Sequence, residues 1–152
     1  MSKIHHITCR LFTCYLLVLL GITLFKPVTE CRAQLIIVNS GVEKNAISKN
    51  TLCAIFGMRL RTWSDGTPIK VFVLSDLNAT HKKFCKRKLN VFPHQLRWNW
   101  DRLVFSGIGQ APIEVESEEE MQERIASTPG AIGYLEVPIY DEYTKIKILD
   151  IE

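Results

Sequence analysis

The amino-acid sequence predicts an α/β domain with a mixed or parallel sheet and flanking helices. Two observations lead to this fold class. Short apolar runs rich in β-branched residues alternate along the chain with longer segments in which apolar residues recur at helical spacing. Clusters of Gly, Pro, Asn, Asp and Ser separate the two kinds of segment, as turns do. Residues 34–152 suffice for a single domain with one core, and they contain no internal repeat.

The first 33 residues have the features of a signal peptide. Lys3 and Arg10 provide a positively charged start, and the apolar run Leu11–Phe25 is shorter than the roughly 20 residues of a membrane-spanning helix. Residues typical of a cleavage site stand ahead of Gln34. We therefore expect export with cleavage after Ala33, which leaves residues 34–152 as the domain. The alternative is an uncleaved membrane anchor.

The charge of the whole chain is concentrated in this first segment. The chain carries 19 Lys and Arg residues against 16 Asp and Glu residues, a formal net charge of +3. Four basic residues and one acidic residue lie within 1–33, so residues 34–152 carry 15 of each. Net charge therefore gives no reason to expect nucleic-acid binding. Residues 59–102 are mainly basic and residues 103–152 mainly acidic, which indicates either steering of an anionic ligand or partner, or two solvated faces.

Cys53 and Cys85 are the two cysteines of residues 34–152. An exported protein can join such a pair as one disulfide. Both cysteines fall in predicted helices, however, and Cys85 stands beside Phe84 on an apolar stripe. Two buried thiols are therefore favoured over a bridge.

The first half of the domain begins with a predicted buried strand, Leu35–Val38. A helix follows that is capped by Ser48 and ended by Gly57. A turn-rich segment then leads to the strand Ile69–Leu74, and we expect Trp63 to cover the core where this segment crosses it.

Helices dominate the second half. The predicted elements are a helix that buries Phe84, Cys85 and Leu89, a helix over Asn90–Phe105 with the apolar stripe Leu96, Trp100 and Leu103, a helix with a Ser117–Glu120 capping box, a buried strand Ala131–Leu135, and an edge strand Lys145–Asp150. Trp98 falls off the stripe of its helix. It therefore packs on a neighbouring element or is exposed.

The stretch Ile69–Leu89 is predicted to fold as strand, loop and helix. A helix that begins beyond the carboxyl end of a strand directs its free N–H groups and the positive end of its dipole into the crevice there. Ligands of α/β sheets bind at this end of the strands. The pattern therefore favours an anion beside the loop that contains Ser75, Asp76 and Asn78.

Three ordered stretches, Leu52–Gly66, Val73–Thr80 and Thr128–Tyr134, resemble the successive motifs of periplasmic phosphate-binding proteins of ABC transporters. These proteins have the type 2 periplasmic-binding fold. The resemblance implies one lobe of that fold, a periplasmic location, a solute-binding rather than enzymatic role, and phosphate or another small anion as ligand. It implies no cofactor.

The loop after the second strand departs from the family pattern. In the family it resembles Arg-Ser-Asp-Gly-Ser-Gly-Thr, and its arginine, serine and final Gly-Thr grip the anion. Here Leu74 replaces the arginine, Ser75, Asp76 and Thr80 are kept, and Leu77–Ala79 replace Gly-Ser-Gly. The missing guanidinium removes a bidentate, charge-assisted contact, and the resemblance covers one lobe only. It therefore implies weak rather than tight phosphate binding.

Ser75, Asn78 and Thr80 are the candidate anion contacts, with Arg59 and Arg61 as contributors from the preceding loop. The alternatives are ordinary helix capping for the first three and surface positions for the arginines. On this interpretation the chain is an exported accessory module that binds a small anion weakly. The competing hypothesis is a protein-interaction module that has lost ligand binding and pairs with a second copy or with a periplasmic or membrane partner.

An enzymatic role is not expected. Ser75, Asp76 and His81 are close in sequence, but Asp76 and His81 fit capping and first-turn positions. The sequence has no serine-centred elbow, no metal-ligand spacing of His and Cys, and no dinucleotide glycine pattern. We expect His81 and His94 to be exposed or half-buried and to bind no metal.

Overall fold

A computed structural model describes residues 34–136 and 145–152, so the predicted signal peptide lies outside the described residues. The elements, in chain order, are β1 (Leu35–Asn39), β2 (Ala46–Ile47), α1 (Lys49–Phe56), β3 (Lys70–Leu74), α2 (Ala79–Phe84), α3 (Pro93–Phe105), β4 (Ile113–Val115), α4 (Glu118–Ser127), β5 (Ala131–Leu135) and β6 (Ile146–Ile151). One π-helical turn, Cys85–Leu89, continues α2. The predicted α/β class is confirmed.

The strands form one mixed sheet in the order β2-β6-β1-β5-β3-β4. β3 is parallel to β4 and β5, and β2 is parallel to β6. β1 is antiparallel to both of its neighbours, β5 and β6. The carboxyl ends of β3, β4 and β5 therefore lie at one edge of the sheet, together with the first residue of β1.

The centre of the sheet is buried because its strands are continuous apolar runs. Every residue of β5 is buried, and so is every residue of β3 except Lys70. Gly133 of β5 lets α4 approach closely, since a Cβ there would lie 2.6 Å from Ile125 Cδ1 and 2.7 Å from Met121 Sδ. This glycine therefore sets the distance between α4 and the sheet.

The helix starts predicted at Ser48 and Ser117 are confirmed, whereas the helix predicted over Asn90–Phe105 begins at Pro93. Ser48 Oγ accepts a hydrogen bond from Thr51 N at 3.1 Å. Ser117 Oγ accepts one from Glu120 N at 3.1 Å. The capping box is displaced by one residue, because the Glu120 carboxylate accepts from Glu116 N at 2.9 Å.

Two short strands were not predicted, and one predicted position was wrong. β2 and β4 have two and three residues, too few to show a period in the sequence. The last strand, expected at an edge, lies between β1 and β2, because β2 pairs with its outer side. It begins at Ile146, one residue later than predicted.

The structure gives the outcome of the predictions for Trp63, Trp98 and the two cysteines. Trp63 is buried, and its Nε1 donates to Gly130 O at 3.0 Å, as expected for a core cover. Cys53 and Cys85 are free thiols, of which Cys85 is the fully buried one. Trp98 is 74% exposed.

Among the helices of residues 34–136 and 145–152, none has the length and apolar character needed to cross a bilayer.

Candidate functional site

The crevice predicted from the sequence lies where β3 and β5 end and α2 begins. Ser75 follows β3, and Glu136 follows β5. Gln34 stands across from Glu136, because it precedes Leu35 and Leu35 pairs with Leu135. The residues that flank β1, β3 and β5 at this edge of the sheet therefore lie close to the first turn of α2.

Asn78 and Ser75 already satisfy most N–H groups of this loop. Asn78 Oδ1 accepts from Thr80 N at 2.8 Å and from His81 N at 3.4 Å. Ser75 accepts from Asn78 N through its carbonyl, at 2.9 Å, and from Leu77 N through its hydroxyl, at 3.4 Å. The loop is thus self-capped, and an anion has to compete for these donors.

Thr80 connects the first turn of α2 to two carboxylates. Its buried hydroxyl lies 2.7 Å from Glu118 Oε1 and 3.3 Å from Glu136 Oε2. Glu118 Oε2 also accepts from Glu136 N at 2.8 Å, and Lys83 Nζ lies 2.6 Å from Glu136 Oε1. Negative charge of the chain itself therefore occupies the positive end of α2, which stabilises the helix dipole.

Gln34 adds a further acceptor to this crevice. The residue is 5% exposed, and its Nε2 donates to Thr80 O at 3.0 Å. Its Oε1 is buried and has no hydrogen-bond partner within the part of the chain that the structure describes. The crevice is thus rich in acceptors.

One arginine does reach the loop, from α3 rather than from β3. Arg97 donates to both carboxylate oxygens of Asp76, at 3.0 and 3.1 Å, and to Glu114 at 3.0 Å. Its guanidinium also lies 5.1 Å from the centre of the Trp100 ring. The hydrogen bond to Asp76 is the main reason why the pKa of Arg97 is raised. This cation is neutralised by its own partners.

His81 is fully buried, so the expectation of an exposed or half-buried histidine was wrong. The Tyr134 hydroxyl accepts from Leu74 N at 2.9 Å and forms a second hydrogen bond with His81 Nδ1. His81 Nε2 lies 3.5 Å from Asp76 Oδ1 and 3.4 Å from Cys85 Sγ. These partners satisfy the buried ring. Burial lowers the pKa of His81, and Asp76 opposes this shift.

The geometry gives no activated nucleophile at these residues. His81 faces Tyr134, Cys85 and Asp76, while the Ser75 hydroxyl is bonded to Leu77 N. Burial raises the pKa of Cys85 to about 12, so its thiol stays protonated and weakly nucleophilic. In residues 34–136 and 145–152 no group of three or more His, Cys, Asp or Glu side chains is arranged to hold a metal.

The structure brings Ser75, Asn78 and Thr80 together and places Arg59 and Arg61 elsewhere. Arg61 O accepts from Ile69 N, and the Arg61 side chain lines a groove at the amino end of β3. Roughly 20 Å of extended chain separates this end from the loop at Ser75. Arg59 lines a different groove, between the end of α1 and α3.

Four further residues contribute to the crevice and were not predicted from the sequence: Gln34, Arg97, Glu118 and Glu136. Glu118 lies within the predicted Ser117–Glu120 capping box, which assigned it no role in the crevice. A signal was present for Glu136, which directly follows a predicted strand, as Ser75 does. The other three reach the loop from distant parts of the chain and left no local signal.

Two comparisons with known proteins bear on this architecture. Residues 29–150 match the sequence profile of the PBP superfamily domain, which confirms the resemblance of the three motifs. No curated protein matches the chain in sequence.

Several solved structures share the fold. They include an ABC-type phosphate transport receptor from Vibrio cholerae (13% identity, TM-score 0.53), a phosphate-bound protein from Clostridium perfringens assigned as a phosphate ABC transporter substrate-binding protein (13%, 0.61), and PstS from Borrelia burgdorferi (17%, 0.52). Each match covers 78% of this chain and 45%, 44% and 47% of the respective protein. The chain therefore spans less than half the length of these proteins.

Proposed function

The chain belongs to the PBP superfamily, and on this premise we propose that it is an exported, non-enzymatic, solute-binding-type domain equivalent to one lobe of such proteins. Its place of action is the periplasm. The relatives named for phosphate transport support a small anion as the ligand class. The retained strand, loop and helix at the carboxyl edge of the sheet support the same site.

Weak binding is the central part of this proposal. Leu74 is buried in the core at the position of the family's arginine, and it offers no charge. The observation that carries the proposal is that Thr80 donates its hydroxyl to Glu118 and Glu136. An incoming anion has to displace or approach two like charges, which costs free energy. We assign the anion contacts to Ser75, Asn78 and Thr80, with a dissociation constant of about 1 mM or weaker, equivalent to roughly 4 kcal/mol.

Phosphate titration of the purified protein tests this assignment. Calorimetry and amide NMR shifts are expected to show saturation only above about 1 mM phosphate, with the largest shifts at residues 75–81. Thr80→Val removes the hydroxyl and is expected to abolish the shifts, whereas Thr67→Val on the distant turn serves as the matched control. If about 20 mM phosphate produces no heat and no amide shifts, phosphate is excluded as the ligand. A micromolar dissociation constant would contradict weak binding.

The same phosphate titration tests whether Arg59 and Arg61 contribute to anion binding. Because both lie away from the loop, Arg59→Ala and Arg61→Ala are expected to leave phosphate affinity unchanged. A loss of affinity in either variant would assign that arginine to the anion site.

A second candidate function is a protein-interaction module that uses its surface rather than its crevice. The observation that favours it is the exposed aromatic surface of α3, where Trp98 is 74% and Phe105 89% exposed. Such side chains are typical of interfaces. Sedimentation velocity with the purified protein, alone and with periplasmic extract, tests it. A protein that stays monomeric and recovers no periplasmic or membrane partner would contradict this function.

A further inference from the structure

A groove of mixed character lies between α2 and the start of α3. We call it the basic groove, and it is lined by Asp76, Lys82, Lys86, Phe92, Pro93 and His94. Lys82 and Lys86 are one helical turn apart and form one wall. Phe92 and Pro93 stand at the N-cap and first position of α3, and the Phe92 and His94 rings stack with centroids 5.7 Å apart. The floor is therefore apolar and aromatic.

The two lysines of this groove take part in none of the ion pairs among the described residues. Phe92 is 56% exposed. The described ion pairs include Lys83 but neither Lys82 nor Lys86. Asp76 lies at the edge of the groove, but its carboxylate is neutralised by two hydrogen bonds from Arg97. The groove thus presents net positive charge beside exposed apolar surface.

We propose that the basic groove binds a partner protein through an acidic segment that carries a large apolar side chain. The apolar side chain packs on Phe92 and Pro93, and its carboxylate neighbours pair with Lys82 and Lys86. Lysine stems also cover apolar groups while their ammonium groups stay in water, so the wall serves both parts of the segment. This inference rests on the second candidate function and adds to it a groove at the start of α3, together with the chemistry of the partner.

The shape and chemistry of the groove favour this occupant over others. A phosphate ion gains nothing from an aromatic floor. A flat bilayer engages side chains that protrude, whereas Phe92 and Pro93 line a recess between the lysine wall and α3. A peptide side chain fills a recess, as in other grooves that bind peptides.

The described part of the chain offers no free segment of this kind from a second copy. Exposed large apolar side chains stand directly beside an acidic residue at Leu77, next to Asp76, and at Ile113, next to Glu114. Arg97 binds both of these carboxylates within the same chain. The described residues of a second copy thus supply no such segment, and the positive charge of Lys82 and Lys86 beside Phe92 points to an acidic, apolar segment of a separate protein.

Fluorescence anisotropy with a labelled synthetic peptide tests the proposal. The probe is a hexapeptide with Leu-Phe between two pairs of glutamates, and the comparison peptides replace Leu-Phe by Ala-Ala or the glutamates by lysines. We expect binding of the first peptide alone. Lys82→Glu with Lys86→Glu, and separately Phe92→Ala, are expected to weaken it at least about tenfold, or roughly 1.4 kcal/mol. Ile108→Ala, at an exposed apolar residue outside the groove, and Lys145→Glu are the matched controls and should bind as the parent does.

Several results would overturn the proposal. They include equal binding of all three peptides, no binding of the acidic probe, displacement of the labelled probe by phosphatidylglycerol vesicles but not by excess unlabelled peptide, and self-association that is lost in the Lys82→Glu, Lys86→Glu variant. Tighter peptide binding by a variant with Asp141→Asn and Glu142→Asn would instead identify the chain's own acidic segment as the occupant, and it would overturn the proposal too. Sedimentation of the parent with periplasmic extract is read separately, so failure of this groove is distinguishable from failure of the interaction function.

Discussion

The crevice at the carboxyl edge of the sheet and the basic groove on α2 and α3 differ in where their partners come from. In the crevice, Thr80 and the loop N–H groups are bonded to side chains of the same chain, chiefly Asn78, Glu118 and Glu136. In the basic groove, Lys82 and Lys86 take part in none of the ion pairs formed by residues 34–136 and 145–152. The predicted anion site is thus largely satisfied from within, while the lysines of the neighbouring groove pair with no acidic residue among those that the structure describes.

The largest effect is expected from a change that moves α4, which carries Glu118 into the crevice. Gly133→Val would place a side chain within 2.6 Å of Ile125 Cδ1 and 2.7 Å of Met121 Sδ. Overpacking of this kind costs about 3 kcal/mol or more. Urea unfolding is expected to show this loss. Ala111→Val, in an exposed loop, is the control, and equal stability of the two variants would contradict close packing of α4 on β5.

A smaller effect is expected from pH, through His81. Burial lowers the pKa of His81 in the folded state, so the unfolded state binds the proton more readily. The contribution of the neutral ring is complete above the unfolded pKa of about 6.5 and is lost as the pH falls through the lower, folded value. The unfolding free energy of the parent should therefore decrease from pH 7 to pH 5.

His81→Phe tests the origin of that decrease. It removes the titrating group, so its stability should fall less steeply with pH than that of the parent, whatever its stability at pH 7. His94→Gln, at an exposed position of α3, is the control and should retain the slope of the parent. A slope unchanged by His81→Phe would assign the pH dependence to other groups.

The smallest effect on stability is expected at the exposed aromatic residues. Trp98→Ala should change the unfolding free energy by about 0.5 kcal/mol or less, because the side chain is 74% exposed. Truncation of a buried side chain typically costs about 2–5 kcal/mol. A loss of that size in Trp98→Ala would show that Trp98 is packed. Trp100→Ala, at a fully buried position, provides the comparison within the same helix.

Features that depend on residues close together in the sequence could be predicted from the sequence. Helix starts such as Ser48 and Ser117 are local, since cap and helix lie within a few residues, and they were predicted correctly. Buried strands such as Ala131–Leu135 are continuous apolar runs and were equally evident. The α/β class follows from their alternation. The two-residue strand β2 is too short to show a period, and its absence from the prediction misplaced the last strand at an edge.

The contents of the crevice could not be predicted, because they are non-local. Glu118 and Glu136 meet Thr80 from 38 and 56 residues away in sequence. Arg97 reaches Asp76 from α3, and the buried His81 meets the Tyr134 hydroxyl from 53 residues away in sequence. Motif comparison shows which contacts are missing, such as the arginine replaced by Leu74. It does not show which side chains of the same chain have taken their place.

Phosphate titration of a variant with Glu118→Gln and Glu136→Gln tests the central claim most directly. Both changes remove the negative charge that faces Thr80 and leave the side-chain size nearly unchanged. Glu119→Gln with Glu123→Gln, on the outer side of α4, alters the net charge equally and is the matched control. We expect phosphate affinity to rise at least about tenfold, or roughly 1.4 kcal/mol, in the first variant and to change little in the second. Equal affinity of the two variants would contradict the account that the chain's own carboxylates weaken the anion site.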